Sequence, residues 1–198
     1  MDKDYINKAV TVLNNGGIII YPTDTAFGIG CRIDFKQSVK KLFKIRLRPE
    51  TQAVPVLVGN IVMAEKYLDS PLPDNVRRLM KDFWPGALTV IYKCNQKLVS
   101  PLVRGGGKNL GVRMPDHGVI LEIINRVGVP ILGPSANFHG QSTPFYENEL
   151  DPELVRLVDY LIKGVCKSNR ASTVLDVSSK TWQILRQGTI KVDFKKYL

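Results

Sequence analysis

Residues 18–21, Ile-Ile-Ile-Tyr, bounded by Gly16-Gly17 and Pro22, constrain the fold more than any other segment. The run is too short for a helix, and its β-branched side chains read as a strand buried on both faces. Such a strand needs apolar layers above and below it. Residues 5–14 supply one candidate, with Tyr5, Ile6, Ala9, Val10 and Leu13 at helical spacing before a glycine stop. Residues 36–46 supply another, with Val39, Leu42 and Phe43 inward and Lys36, Lys40 and Lys44 on an outer stripe.

Further helices are expected over 60–68, 74–83 and 117–127, the last with Asp116 as N-cap. Further strands are expected at Val56–Val58, Ala87–Tyr92, Gly111–Met114, Pro130–Leu132, Val158–Ile162, Thr173–Val177 and Gln183–Leu185. This order predicts an α/β fold of three layers around a twisted mixed sheet, over 1–198 as a single domain.

Charge narrows the partners. There are 28 Lys+Arg against 18 Asp+Glu, giving +10 at pH 7, a surface that attracts polyanions and phosphate-bearing small molecules. Seven of the basic residues fall between 32 and 48, with only Asp34 against them. Cys31, Cys94 and Cys166 form no CxxC pair, and with only His117 and His139 a protein-held metal is not expected. No stretch of 18 apolar residues occurs and the N-terminus lacks an apolar signal core, so a cytoplasmic, non-membrane protein is expected.

Familiar phosphate loops fail on inspection. Gly107-Lys108 lacks the Walker pattern's first glycine, because position 102 is Leu, and Asn109 stands where Ser or Thr would be. Gly28-Ile29-Gly30 is followed by Ile33, so the dinucleotide fingerprint fails too. The run Gly105–Gly107 reads as a flexible lid or a plain surface hairpin. Gly133-Pro134-Ser135-Ala136-Asn137 is not a nucleophile elbow, because Asn137 replaces the final glycine.

Three segments gain weight together. Tyr21-Pro22-Thr23-Asp24-Thr25 leaves the carboxyl end of a buried strand, where open α/β sheets bind ligands. Read alone, it is equally a turn capped by Asp24 and Thr25. Arg46-Leu47-Arg48-Pro49 pairs two arginines that an extended chain would point to opposite faces and a turn at Pro49 would converge. Ser135 and Asn137 follow another strand.

With YPTDTAFGIG, RLRP, GVRMPDH, PSAN, STVLD and ILRQG in this order, the chain resembles the YrdC family of threonylcarbamoyl-AMP synthases. The resemblance runs from Gly16 to Gly188 and suggests the short, single-domain form. It implies condensation of L-threonine, bicarbonate and ATP into threonylcarbamoyl-AMP and pyrophosphate, with Mg2+ bound through ATP. The product would pass to a threonylcarbamoyl transferase complex acting on tRNA. The resemblance implies ATP contacts from Arg46, Arg48, Ser135, Asn137 and Arg186, and by looser similarity from Asn109 and Thr143. It implies threonine contacts from Thr23, Thr25, Arg113, Ser172 and Thr173. No residue is assigned as general base.

The chain departs from the family pattern at Arg46, where Lys is usual and Lys44 offers a substitute, and at Pro134, Val58, Lys163 and Asn169. Two alternatives stay open. One is a YrdC-like protein that binds tRNA or double-stranded RNA without synthase activity. The other is a paralogue with a different substrate, including carbamoyl-adenylate chemistry of the hydrogenase-maturation type.

Overall fold

A computed structural model describes residues 4–198. Its strands divide between two mixed sheets rather than gathering around one. In the smaller, β1 (Ile19–Tyr21) lies between β2 (Gly28–Gly30), antiparallel to it, and β7 (Tyr160–Leu161), parallel to it. The larger sheet has six strands. From one edge these are β6 (Ile131–Leu132), β3 (Val56–Leu57), β5 (Asn109–Arg113), β4 (Leu88–Lys93), β8 (Thr173–Asp176) and β9 (Gln183–Arg186). β3–β5 and β4–β8 run parallel, and the other neighbours antiparallel.

The isoleucine run explains the layering. Ile18 and Ile20 enter the main core with Phe27, Ile29, Leu42 and Leu88, while Ile19 and Tyr21 enter a second core. That second core is closed by α1 (Asp4–Asn14) through Ile6, Ala9 and Leu13, and by α5 (Gly118–Val127) through Ile120, Ile123, Ile124 and Val127. Period-two alternation along the strand thus meets period-3.6 stripes on two helices. On the other side, α2 (Lys36–Ile45) inserts Val39, Leu42 and Phe43, and α4 (Asp74–Phe83) inserts Val76, Leu79 and Met80. Lys36, Lys40 and Lys44 stay exposed on α2, as their spacing requires.

The helix expected at 60–68 and an unexpected one at 152–156 are instructive in opposite ways. The first appears as α3 (Ile61–Tyr67), capped by the Asn60 side chain, which accepts from the Met63 N–H at 2.8 Å. The second, α6 (Pro152–Arg156), has no counterpart in the sequence reading, because one helical turn leaves no periodic stripe. For α5 the N-cap is His117, which makes no side-chain cap bond, and not Asp116, whose carboxylate instead pairs with Lys167 at 2.7 Å. Leu47 is the single non-glycine residue with positive φ among the described residues. No helix of the described residues is long and apolar enough to cross a membrane. All three cysteines are free and buried.

The two sheets are sewn together beside Ser135. The Ile29 N–H donates to the Pro134 carbonyl at 3.0 Å, the Ala136 N–H to Phe27 at 2.8 Å, and the Leu132 N–H to Cys31 at 2.9 Å. Gly30 is required at this seam, since a Cβ there would lie 2.1 Å from the Leu132 carbonyl oxygen. The hairpin β1–β2 therefore delivers its loop, residues 22–27, onto the segment that follows β6.

Candidate functional site

A cavity of about 200 Å³ opens where these segments meet, lined among others by Thr23, Thr25, Arg46, Arg48, Arg113, Pro134, Ser135, Thr143, Ser172 and Arg186. It sits at the carboxyl ends of β1, β5, β6 and β9. Nine of the twelve residues singled out in the sequence line it; Asn109, Asn137 and Thr173 do not. A larger hollow of about 650 Å³ along Val62–Ser70 and Cys94–Lys97 holds none of the twelve.

Arg46 and Arg48 converge through a different device from the one expected. The Leu47 N–H donates to Lys44 at 3.1 Å and the Arg48 N–H to Phe43 at 3.0 Å, with Leu47 at φ 52. This is a Schellman termination of α2 with leucine in the left-handed position that usually takes glycine. The reversal lies at Leu47, ahead of Pro49, and it swings Arg48 back beside Arg46. Arg48 is then clamped to the Gln52 and Ala53 carbonyls at 3.2 and 2.5 Å. Lys44 remains exposed and does not line the cavity.

Arg46 is 2% exposed, and its Nε donates to the Asn137 carbonyl at 3.0 Å. Among the described residues its Nη1 has no partner, and neither has the buried Oδ1 of Asn137. Asn137 thus stands behind Arg46, its Nδ2 tying the Phe138 and Gln141 carbonyls at 2.8 and 2.9 Å. Burial lowers the Arg46 guanidinium to about 10, with Arg48 adding repulsion. Burial likewise lowers Arg48 and Arg186. Among the described residues no carboxylate pairs with any of these three, so the cavity carries an uncompensated positive field.

The carboxylate nearest the cavity is already taken. Arg113, buried with Asp24, gives Nη2 to Asp24 Oδ1, Nη1 to Thr25 Oγ1 at 2.7 Å, and Nε to the Gly86 carbonyl at 3.0 Å. Three of its five N–H donors are used, which leaves two. The loop is also wired internally. Thr23 Oγ1 donates to the Ala26 carbonyl at 2.7 Å and accepts from the Thr25 and Ala26 N–H groups. Its proton and both lone pairs are thereby committed, so the 3.1 Å contact between the two hydroxyls adds no further bond to it. Thr25 Oγ1 lines the cavity while accepting from Arg113 Nη1. In the sequence Asp24 read as a turn cap; Thr23 caps the turn, and Asp24 holds Arg113.

Three residues fall outside the cavity for geometric reasons. Asn109 begins the strand that Arg113 ends, about 13 Å away at β rise, and donates to Ser178 Oγ at 2.9 Å. Thr173 Oγ1 donates to the Ile190 carbonyl at 2.5 Å and accepts from the Gly188 N–H at 3.0 Å, tying down the turn after β9. Among the departures, Val58 is fully buried in the main core, Lys163 is exposed near Glu147, and Pro134 joins Arg46 in lining the cavity. The run Gly105–Gly107 belongs to a turn closed on itself by Arg104, which bonds the Val99 and Gly107 carbonyls.

Ser135 lines the cavity with no protein partner for its hydroxyl among the described residues. Ser172 lies opposite, just ahead of β8, where Arg186 Nε meets its carbonyl and Nη2 its Oγ, both at 3.1 Å. Gly188 makes this approach possible, because a Cβ there would sit 2.2 Å from the Ala171 oxygen and 2.5 Å from the Ser172 oxygen. Gly188→Ala is expected to push Arg186 off Ser172, costing about 1–3 kcal/mol. Urea unfolding measures that loss, and an unchanged midpoint would contradict the close approach.

A family model described as "Telomere recombination", spanning Sua5, YciO and YrdC, matches residues 11–188. The chain belongs to the Sua5/YciO/YrdC family. The threonylcarbamoyl-AMP synthase of Bacillus subtilis is 34% identical over 189 residues, covering 93% of this family member but 54% of that relative. The chain thus spans about half the length of that synthase. Escherichia coli YciO is 29% identical over 92% of the chain and 88% of its own length, and its crystal structure superimposes with a TM-score of 0.87. The crystal structure of P. abyssi Sua5 complexed with L-threonine is 26% identical, with a TM-score of 0.90 over 95% of this chain and 55% of that one. These matches establish the mixed α/β fold of the Sua5/YciO/YrdC family.

Proposed function

We propose that this protein is a nucleotidyltransferase that makes threonylcarbamoyl-AMP from L-threonine, bicarbonate and ATP, for threonylcarbamoyladenosine modification of tRNA. The observation that carries the reading is the cavity's three arginines without a carboxylate, one of them buried with a bare Nη1. Such a site is electrostatically unfinished until a polyanion enters it. A triphosphate supplies the missing charge, and desolvated guanidiniums bind it bidentately. The names borne by relatives from B. subtilis and Photobacterium profundum, and the threonine complex of a relative, agree with it.

The chemistry asks for arrangement rather than for a protein nucleophile. Threonine's amine adds to the carbon of bicarbonate or CO2, giving the carbamate and, from bicarbonate, water. A carbamate oxygen then attacks the α-phosphorus, and the bond to pyrophosphate breaks. Arg46, Arg48 and Arg186 hold the phosphates and meet the charge that builds on them. The two spare N–H donors of Arg113 suit the threonine carboxylate, and the hydroxyl oxygen of Thr25 suits its amine. Free carboxylates are missing from this donor set, so the divalent ion of the reaction arrives as part of ATP–Mg2+.

Pyrophosphate release by the purified chain with ATP–Mg2+ and bicarbonate, with L-threonine, L-serine or no amino acid, tests this proposal. Release that requires L-threonine is expected, with a product of the mass of threonylcarbamoyl-AMP. Release driven equally by serine would assign another substrate, and none above background would remove the synthase reading.

A further inference from the structure

One residue near the cavity belongs to no motif and does not line it. Thr89, in β4, is 5% exposed, and its Oγ1 lies 2.9 Å from Ser172 Oγ. Ser172 is also the residue that grips Arg186. Proton accounting fixes the direction of this network. A hydroxyl has one proton and two lone pairs, whereas a guanidinium has only donors. Ser172 Oγ therefore accepts from Arg186. Were Ser172 to give its proton to Thr89, the Thr89 proton would be stranded, since its hydroxyl has no second partner among the described residues. A buried donor left unmade is costly. The consistent arrangement has Thr89 donating to Ser172, which fills both Ser172 lone pairs and leaves the Ser172 proton over. Ser172 lines the cavity, so that proton points to whatever oxygen binds there.

We infer that Thr89 is a positioning residue: it fixes Ser172 as a hydrogen-bond donor toward an anionic oxygen of the substrate and, through Ser172, holds Arg186 in place. The inference rests on the anion-binding reading of the cavity given above and adds an internal polarity to it. Ser172 and the three arginines form a wall of donors along the cavity. The oxygen that Ser172 meets belongs to a phosphate or to an amino-acid carboxylate, and titrating each ligand alone separates the two.

The test is calorimetric titration of ATP–Mg2+ and of L-threonine, separately, into wild type, Thr89→Val, Thr89→Ser and Ser172→Ala. Thr89→Val keeps the shape and removes the hydroxyl. It is expected to weaken one ligand about tenfold, leave the other within twofold, and raise the matching KM in pyrophosphate release more than it lowers kcat. Thr89→Ser is expected to restore affinity to within threefold of wild type. Ser172→Ala, the readout should Thr89→Val fail to fold, is expected to weaken the same ligand. Wild-type affinities in Thr89→Val or in Ser172→Ala, or a Thr89→Ser as weak as Thr89→Val, would overturn the inference while leaving the synthase reading intact. Absence of binding of both ligands by wild type would overturn that reading and this inference with it.

Discussion

Arg113→Met is expected to destabilise the protein by about 3–5 kcal/mol, because it strands the Asp24 carboxylate in a buried site. Both side chains are less than a tenth exposed, and Asp24 makes no other ion pair among the described residues. At roughly 2–4 °C per kcal/mol for a chain of this size, the melting temperature falls by about 6–20 °C. The loss is one of pairing rather than of attraction as such. The double variant Asp24→Asn, Arg113→Met, which removes the stranded charge, is therefore expected to recover a large part of it. Thermal unfolding of the two variants checks this, and equal losses in both would show that the pair contributes by packing alone.

Arg46→Met is expected to do the opposite to stability and far more to activity. Its guanidinium is buried with one nitrogen unpartnered and Arg48 as a like-charged neighbour, so an apolar replacement removes an unfavourable burial. The melting temperature is expected to hold or rise, while kcat/KM for ATP falls by about 10²–10³-fold, the usual cost of one preorganised donor at developing charge. A variant that lost stability and kept activity would remove Arg46 from the phosphate site.

The elements legible in the sequence are those that bury a stripe. The helix expected at 74–83 has those same limits, and α1 and α5 are displaced by one residue, because apolar periodicity sets them. β2 was not legible: two of its three residues are glycines, which strands disfavour, and they answer to contacts with Tyr21 and Leu132 that only the fold creates. The division into two sheets was hidden for a like reason, since an apolar run shows that both faces are covered but not by which layers. In the site, motif residues were found and their wiring was not. Asp24 and Arg113 are 89 positions apart, and Thr89 sits in an apolar stretch where threonine looks like any other strand former. Asn109 rested on looser local similarity, and β5 carries it to the far end of the strand from Arg113.

The parallel pairing of β1 with β7 sets a timetable for biosynthesis. Ile19 finds Tyr160 only after 141 further residues have left the ribosome, about 7–30 s at ordinary elongation rates. Through that interval the isoleucine run has no partner on one edge, and α1 has only part of the surface it covers. A nascent chain of this protein is therefore expected to depend on holding chaperones until its last third emerges, and to be most prone to aggregate when translation stalls between β6 and β7.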